Sequence, residues 1–457
     1  MNILLIFTFF IISGAVRCFD VIGYSGGSVL VDSHKPWYTD VKQYLYTWQN
    51  NKWNILIKNE DSRKWIKERR FTLFCTENGH LMIFIRDLNT QDSGTYRIGV
   101  EDKWSTKMSL KVTEDSCCGA SQRVMVNTGQ TANFTCQYSQ DYKTNEKMIF
   151  KKGNEMIETF ISTTNVKTKK ERMNIHDDTQ IDLLSVRITD VRSEDAGVYL
   201  CGVYLNKTSY SYSILTAVHL HIMMPPVFGD EGGSAHVICP YDPIYKSKSK
   251  KLLKSCRDEK TLMEMNRWSV NDDMTASVFS VNITGLTAED AGKYCCAVTL
   301  ETDVIYLYTH LIILIKQELL LNKREGDNMS MECKHHAEYQ KVFCKAHEVS
   351  MCVNDGVSFQ WIRDDGFSLS DETSTGVFTV NISHLREEHS GIYWCGSHII
   401  TKVHLNVTRV SALFIILIIT SVSVLLLMKT IILLLNLGFI RKISKPKLPD
   451  THPSFAY

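Results

Sequence analysis

The chain has 457 residues, too many for one ordinary domain and enough for about three or four. Its 51 basic and 50 acidic residues leave a formal net charge of +1, which lacks the basic footprint that a nucleic-acid binder needs. The 22% charged and 44% hydrophobic fractions exclude a largely disordered chain, and 14 cysteines point to an oxidising compartment.

At the N-terminus an apolar run over 3–12 is followed by Ser13, Gly14 and Ala15. This is the layout of a secretory signal, although no basic residue leads it; cleavage falls after Ala15 or nearer Cys18. The chain then repeats about every 100 residues, and a period of that size is sought before other features. The first three units carry an Asp, a Gly and a Tyr at alternate positions, and the fourth has a His in place of the Asp. The second has Asp195, Gly197, Tyr199 and Cys201; the third has Asp290, Gly292, Tyr294 and Cys296. The fourth has His389, Gly391, Tyr393 and Cys395, and the first has Asp92, Gly94 and Tyr96 with Ile98 at the cysteine position. A second cysteine opens each unit five residues after a small or polar one: Thr131 before Cys136, Ser234 before Cys239, Asn328 before Cys333. In the first unit Ser28 leads to Ser33, so both cysteines are replaced together.

Alternating segments precede each Tyr motif: Leu81, Ile83 and Ile85; Leu184, Val186 and Ile188; Phe279, Val281 and Ile283; Phe378, Val380 and Ile382. Period-two patterning with one apolar face predicts strands of antiparallel sandwiches, an all-β fold.

Near the C-terminus, 410–440 is a predominantly apolar stretch with one charge, Lys429. As a helix it measures about 46 Å, against a hydrocarbon core of about 30 Å, so it is expected to span a membrane. Arg441, Lys442, Lys445 and Lys447 follow it, which places the C-terminus in the cytoplasm and the N-terminus outside, a single-pass plasma-membrane topology. The basic tail argues against a lipid-anchor signal, which ends in its apolar stretch.

An Asp-x-Gly-x-Tyr-x-Cys motif with a cysteine some 55–65 residues upstream resembles the variable-type immunoglobulin domain. Lys341 to Lys345 with Cys352, and Tyr393-Trp394-Cys395-Gly396, make the fourth unit similar to the polymeric immunoglobulin receptors and the related leukocyte mono-Ig-like receptors. The resemblance implies four tandem V-like sandwiches: a signal over 1–18, domains over 19–114, 115–224, 225–316 and 317–408, the membrane segment 410–440 and a tail 441–457. It implies disulfides Cys136–Cys201, Cys239–Cys296, Cys333–Cys395 and Cys344–Cys352. Cys256, expected on strand C, and Cys295 are a further candidate pair, although Cys295 and Cys296 point to opposite faces of a strand. The partners of Cys75, Cys117 and Cys118 stay open, with Cys75 expected in an exposed turn. The family's Arg–Asp pair is expected at Arg172–Asp195, Arg267–Asp290 and Arg70–Asp92; in the fourth domain Phe359 and His389 are expected at its two positions.

The run from Cys333 through His335 and His336 to Cys344, His347 and Cys352 has zinc-like spacings, but its cysteines fall at disulfide positions, so no metal is expected. Phosphate-binding glycine loops and hydrolase motifs are missing from the sequence, so neither a catalytic residue nor a cofactor is expected. Glycosylation sequons occur at Asn133, Asn206, Asn282, Asn328, Asn381 and Asn406. Ligand-loop candidates are Lys246, Lys248, Lys250, Lys251 and Lys254 in the third domain, which would attract an anionic lipid, glycan or acidic protein patch. In the second domain Tyr204, Tyr210 and Tyr212 fall in or beside the F–G loop.

Lys429 inside an apolar helix is a functional residue by default, and an acidic residue on a partner helix would neutralise it. Activating members of the similar leukocyte receptors couple to adaptors in this way. The expected function is a cell-surface immune receptor that binds an extracellular ligand and signals through such an adaptor. The rivals are a transport receptor for polymeric immunoglobulin and an adhesion protein.

Overall fold

The computed structural model describes residues 18–59, 63–114, 119, 121–153, 157–164, 172–206, 210–256, 267–300, 303–334, 341–354, 358–359, 366–372, 376–409 and 412–443. The expected signal up to residue 17, Cys117, Cys118, His335, His336 and the tail beyond 443 lie outside the described residues.

The second domain shows the plan. One sheet runs Gln122–Asn127, Ser211–Met223, Gly197–Asn206, Lys147–Lys152, Ile157–Ser162, with the first pair parallel and the others antiparallel. The facing sheet is Ala132–Gln137, Leu183–Ile188, Met173–Asp178. Leu184, Val186 and Ile188 are buried between the sheets while Arg187 faces out, as the alternation predicts. The same three-stranded sheet recurs around Val278–Thr284 and Val377–Ile382, and the same parallel first-to-last pairing recurs as Cys18–Tyr24 on Trp104–Thr113 and Leu319–Arg324 on Ile399–Thr408. The protein is four tandem immunoglobulin V-like sandwiches followed by one helix, Ala412–Ile443.

Each sandwich is closed at its lower edge by the Tyr motif. The hydroxyls of Tyr96, Tyr199, Tyr294 and Tyr393 donate to the carbonyls of Asp92, Asp195, Asp290 and His389 at 2.6–2.8 Å. Arg70, Arg172 and Arg267 grip Asp92, Asp195 and Asp290 through two N–H groups each. Burial pushes the Asp290 carboxyl up, but hydrogen bonds from Arg267 and Thr287 outweigh it and hold it below the usual range. In the fourth domain the arginine position is Gly366, not Phe359: the carbonyl of Gly366 accepts from Ser383 as that of Arg172 accepts from Thr189. His389 stands at the acid position, its Nδ1 accepting the Arg386 N–H at 3.0 Å.

Disulfides join Cys136–Cys201, Cys239–Cys296, Cys333–Cys395, Cys344–Cys352 and Cys256–Cys295. Cys256 is not on a strand: Ser249–Lys254 ends before it, and Ser255 and Cys256, at φ 56° and 57°, turn the chain back onto the outer face where Cys295 points. Ser33 takes the first-domain cysteine position and bonds the Leu81 carbonyl, while Ile98 is fully buried. Cys75 ends the strand Phe71–Cys75, half-buried and in no disulfide, rather than in an exposed turn.

Successive sandwiches are welded through their last strands. Ser211–Met223 of the second domain pairs with Ser28–Pro36 of the first at one end and with Val304–Leu314 of the third at the other. Val304–Leu314 in turn pairs with Ile399–Thr408 of the fourth. On the first-domain strand His80–Ile85 the outward residues Met82 and Phe84 are apolar too, and they are buried in the same cluster as the second domain's core.

Candidate ligand and membrane sites

In the third domain the sequence-predicted lysines do not form one loop cluster. Lys250 lies on the strand Ser249–Lys254 with its side chain only 3% exposed. Its ammonium sits 2.9 Å from the Asp272 carboxylate, donates to the Lys246 carbonyl at 2.7 Å, and stacks 4.2 Å over the Tyr241 ring. Tyr241 donates to the other oxygen of Asp272 at 2.8 Å. Lys250 is thus part of the domain's interior, because strand alternation turns it inward where Lys251 turns away. Lys254 caps the Glu289 carbonyl at the opposite end of the strand. Lys246, Lys248 and Lys251 remain partly exposed.

The second domain holds the same arrangement in Lys147, Asp177 and Tyr138: Nζ to carboxylate 2.9 Å, Nζ to ring 4.3 Å, phenol to carboxylate 2.6 Å. Sequence reading missed it. The available signal was the recurrence of Tyr two residues after the first cysteine and of Asp ahead of the Tyr motif strand in both domains.

The tyrosines lie at a domain junction. Tyr210 stacks on His34 of the first domain with ring centroids 3.4 Å apart, and its carbonyl accepts the Asp32 N–H at 3.0 Å. Tyr212 packs edge-on against Phe150, and Tyr204 lies beside Tyr212. The first domain therefore packs against this end of the second, with one face of the Tyr210 ring on His34 while the residue stays 38% exposed.

The second–third junction is charged. Lys151 pairs with Asp242 at 2.6 Å, and Lys152 pairs with Asp303, which also faces His219 at 3.7 Å. Burial pulls the Lys152 ammonium down and Asp303 draws it back up, leaving it below its usual value. At the third–fourth junction His310 and His398 meet at 2.7 Å.

Of the sequons, Asn133, Asn328 and Asn406 are exposed and Asn282 and Asn381 half-exposed; the Asn206 side chain is outside the described residues. The cysteines of the zinc-like run are held in disulfides, and His347 is exposed.

Within the helix, Ile416–Asn436 spans 21 residues with a mean hydropathy of 2.5 and is unburied, long and apolar enough to cross a membrane. Lys429 falls about 4–5 Å beyond its midpoint at 1.5 Å per residue. No acidic residue occurs anywhere in the helix Ala412–Ile443, so the ammonium has no partner of opposite charge on its own segment.

Comparison with known proteins agrees with this architecture. The immunoglobulin V-set domain matches residues 120–223. Human polymeric immunoglobulin receptor is 25% identical over 381 residues, which are 74% of this chain and 49% of that protein. The chain carries one immunoglobulin V-set match and is similar to the polymeric immunoglobulin receptors. The bovine receptor is 23% identical over 357 residues, 70% of this chain and 46% of that protein. This chain thus spans about half the length of the curated relatives it matches. Among solved structures, the second Ig domain of the mouse receptor is 20% identical, covering 23% of this chain and 99% of that one, with a TM-score of 0.20.

Proposed function

We propose that this protein is an immunoglobulin-superfamily receptor of the plasma membrane, N-terminus outside, that binds an extracellular ligand and signals through a membrane adaptor paired at Lys429. The observation that carries the reading is the lysine near the middle of an apolar helix that holds no acid. Leaving it unpaired at mid-membrane disfavours insertion by about 2.5–3.5 kcal/mol. A carboxylate on a neighbouring helix offsets that. If the span were shorter and Lys429 reached the inner interface, the apolar residues Ile431–Leu435 would be left in water, which is unfavourable. No catalytic role, cofactor or nucleic-acid partner belongs to this reading.

The test is co-expression with transmembrane adaptors that carry an acidic residue, comparing wild type with Lys429→Leu. Wild type is expected to recover an adaptor and reach the surface with it, and the variant to lose it. Recovery of none by wild type refutes the reading.

A second reading, carriage of polymeric immunoglobulin, is favoured by the names of the relatives. Binding of purified polymeric antibody to the full chain decides it. The first domain's different central packing, Ser33 and Ile98 in place of a disulfide, is where the two readings diverge in structure.

A further inference from the structure

Asp32, His34 and His80 bring three metal-ligating atoms within 4.8 Å of one another on the outer face of the first domain. The backbone builds this cluster. The strands Ser28–Pro36 and His80–Ile85 pair Asp32 with Met82 and Pro36 with His80, so three residues on one strand face one on the other. Such a bulge re-aims a side chain. Here the extra length is absorbed at His34, whose φ of 52° swings its ring back toward His80. The Nδ1 atoms of His34 and His80 lie 3.1 and 3.3 Å from the same oxygen, Oδ2 of Asp32. Ligands about 2.0–2.1 Å from a tetrahedral ion are separated by about 3.3–3.4 Å, so both separations are close to edges of such a site.

The surroundings hold the ligands in place. Oδ1 of Asp32 accepts the His34 N–H at 2.7 Å, leaving Oδ2 directed at the imidazoles. The Asp32 N–H donates to the Tyr210 carbonyl, and the His34 ring stacks on Tyr210. Ligands whose orientation is fixed by a second set of contacts bind metal more tightly. His34 is exposed, so a fourth position is open to water.

We propose that Asp32, His34 and His80 form a zinc site that rigidifies the junction between the first and second domains. Two imidazoles and one carboxylate suit zinc among the divalent ions of an oxidising compartment. Because two of the ligands also touch Tyr210, filling the site restrains the second domain's F–G end as well as the first domain's bulge.

The full chain in detergent, stripped with EDTA, is titrated with zinc chloride by calorimetry and with cobalt chloride by visible absorption. His34→Asn keeps a residue that accepts positive φ, and His80→Gln removes the second ligand. Wild type is expected to bind one equivalent of zinc that the double variant loses or binds at least 100-fold more weakly. Wild type should also show the visible bands of four-coordinate cobalt, and a zinc-dependent rise in melting temperature absent from the variant. Equal zinc binding by the two proteins, or wild-type cobalt spectra that stay those of the aqueous ion, overturns the proposal. The cobalt measurement needs wild type alone, so a variant that fails to fold still leaves the site tested.

Discussion

Replacing Asp177 with alanine strands the Lys147 ammonium in a side chain only 1% exposed. In wild type that ammonium has the carboxylate at 2.9 Å, the Lys143 carbonyl at 2.8 Å and the Tyr138 ring at 4.3 Å. Removing one partner of a buried pair costs about 3–5 kcal/mol. Asp177 is 18% exposed, which lets water reach part of the vacated space and favours the lower end, about 3 kcal/mol. Asp177→Ala also removes the acceptor of the Tyr138 hydroxyl. The compensated triple variant Lys147→Met, Asp177→Leu, Tyr138→Phe has neither orphan and should fall within about 1 kcal/mol of wild type, since an apolar replacement of a buried pair is often neutral. In scanning calorimetry of a soluble fragment covering 18–409, about 3 kcal/mol lowers the second domain's transition by at least about 12 °C, using about 4–8 °C per kcal/mol for a domain near 100 residues. If Asp177→Ala shifts it by less than about 4 °C, or if the triple variant melts as low as the single one, the lysine is not held as an interior ion pair.

Lys250→Ala in the third domain should lower that domain's melting transition in the same way, whereas Lys248→Ala should leave it unchanged; binding of anionic vesicles separates the two further, because Lys248 is partly exposed whereas the Lys250 ammonium is held by Asp272. Reduction under native conditions followed by a thermal scan should lower the transitions of the second, third and fourth domains and leave the first, which has no central disulfide; each long loop contributes about 3–4 kcal/mol. Burial, with His219 and Arg123 adding to it for His221 and Lys293 for His310, pushes both imidazoles down to about 4. Each is neutral in the fold, so its full contribution is present above about pH 6.5 and is lost as the pH falls towards 4; at pH 5 each accounts for up to about 2 kcal/mol. Melting temperature against pH should therefore drop below 6.5, and His221→Asn with His310→Asn should flatten the curve. A wild-type profile flat to pH 5 contradicts the burial of these rings.

Legibility in the sequence followed chain distance. The Tyr motifs and the sandwich strands could be read because each is a short pattern repeated in every unit, and the Arg–Asp pairs because they recur in the first three; Asp92, Asp195 and Asp290 each sit four residues before the motif Tyr. The arginine position of the fourth domain was misread as Phe359 because a glycine, Gly366, leaves no side-chain signal to align. The Cys256–Cys295 bond looked awkward because strand alternation argues against it; a turn at positive φ removes the objection. Met82 and Phe84 made the strand His80–Ile85 apolar on both faces, which was a visible sign of a covered surface.

Composition and alternation alone determined that this is an all-β, disulfide-bearing chain with one long apolar helix, because burial imposes a period of two on every sandwich strand and membrane thickness imposes a length on every span. Only the tertiary structure decided which polar residues are interior and which are available. Lys250 and Lys248 are alike in sequence, yet one closes an ion pair in the interior and the other stays partly exposed. Tyr210 reads as a loop residue, yet its ring stacks on His34 of the first domain, and Asp32 and His80, 48 positions apart, meet because a bulge redirects the strand between them. The physical reason is common to all three: a side chain's partners are set by register and domain packing, which join residues too far apart in the chain for any local pattern to record.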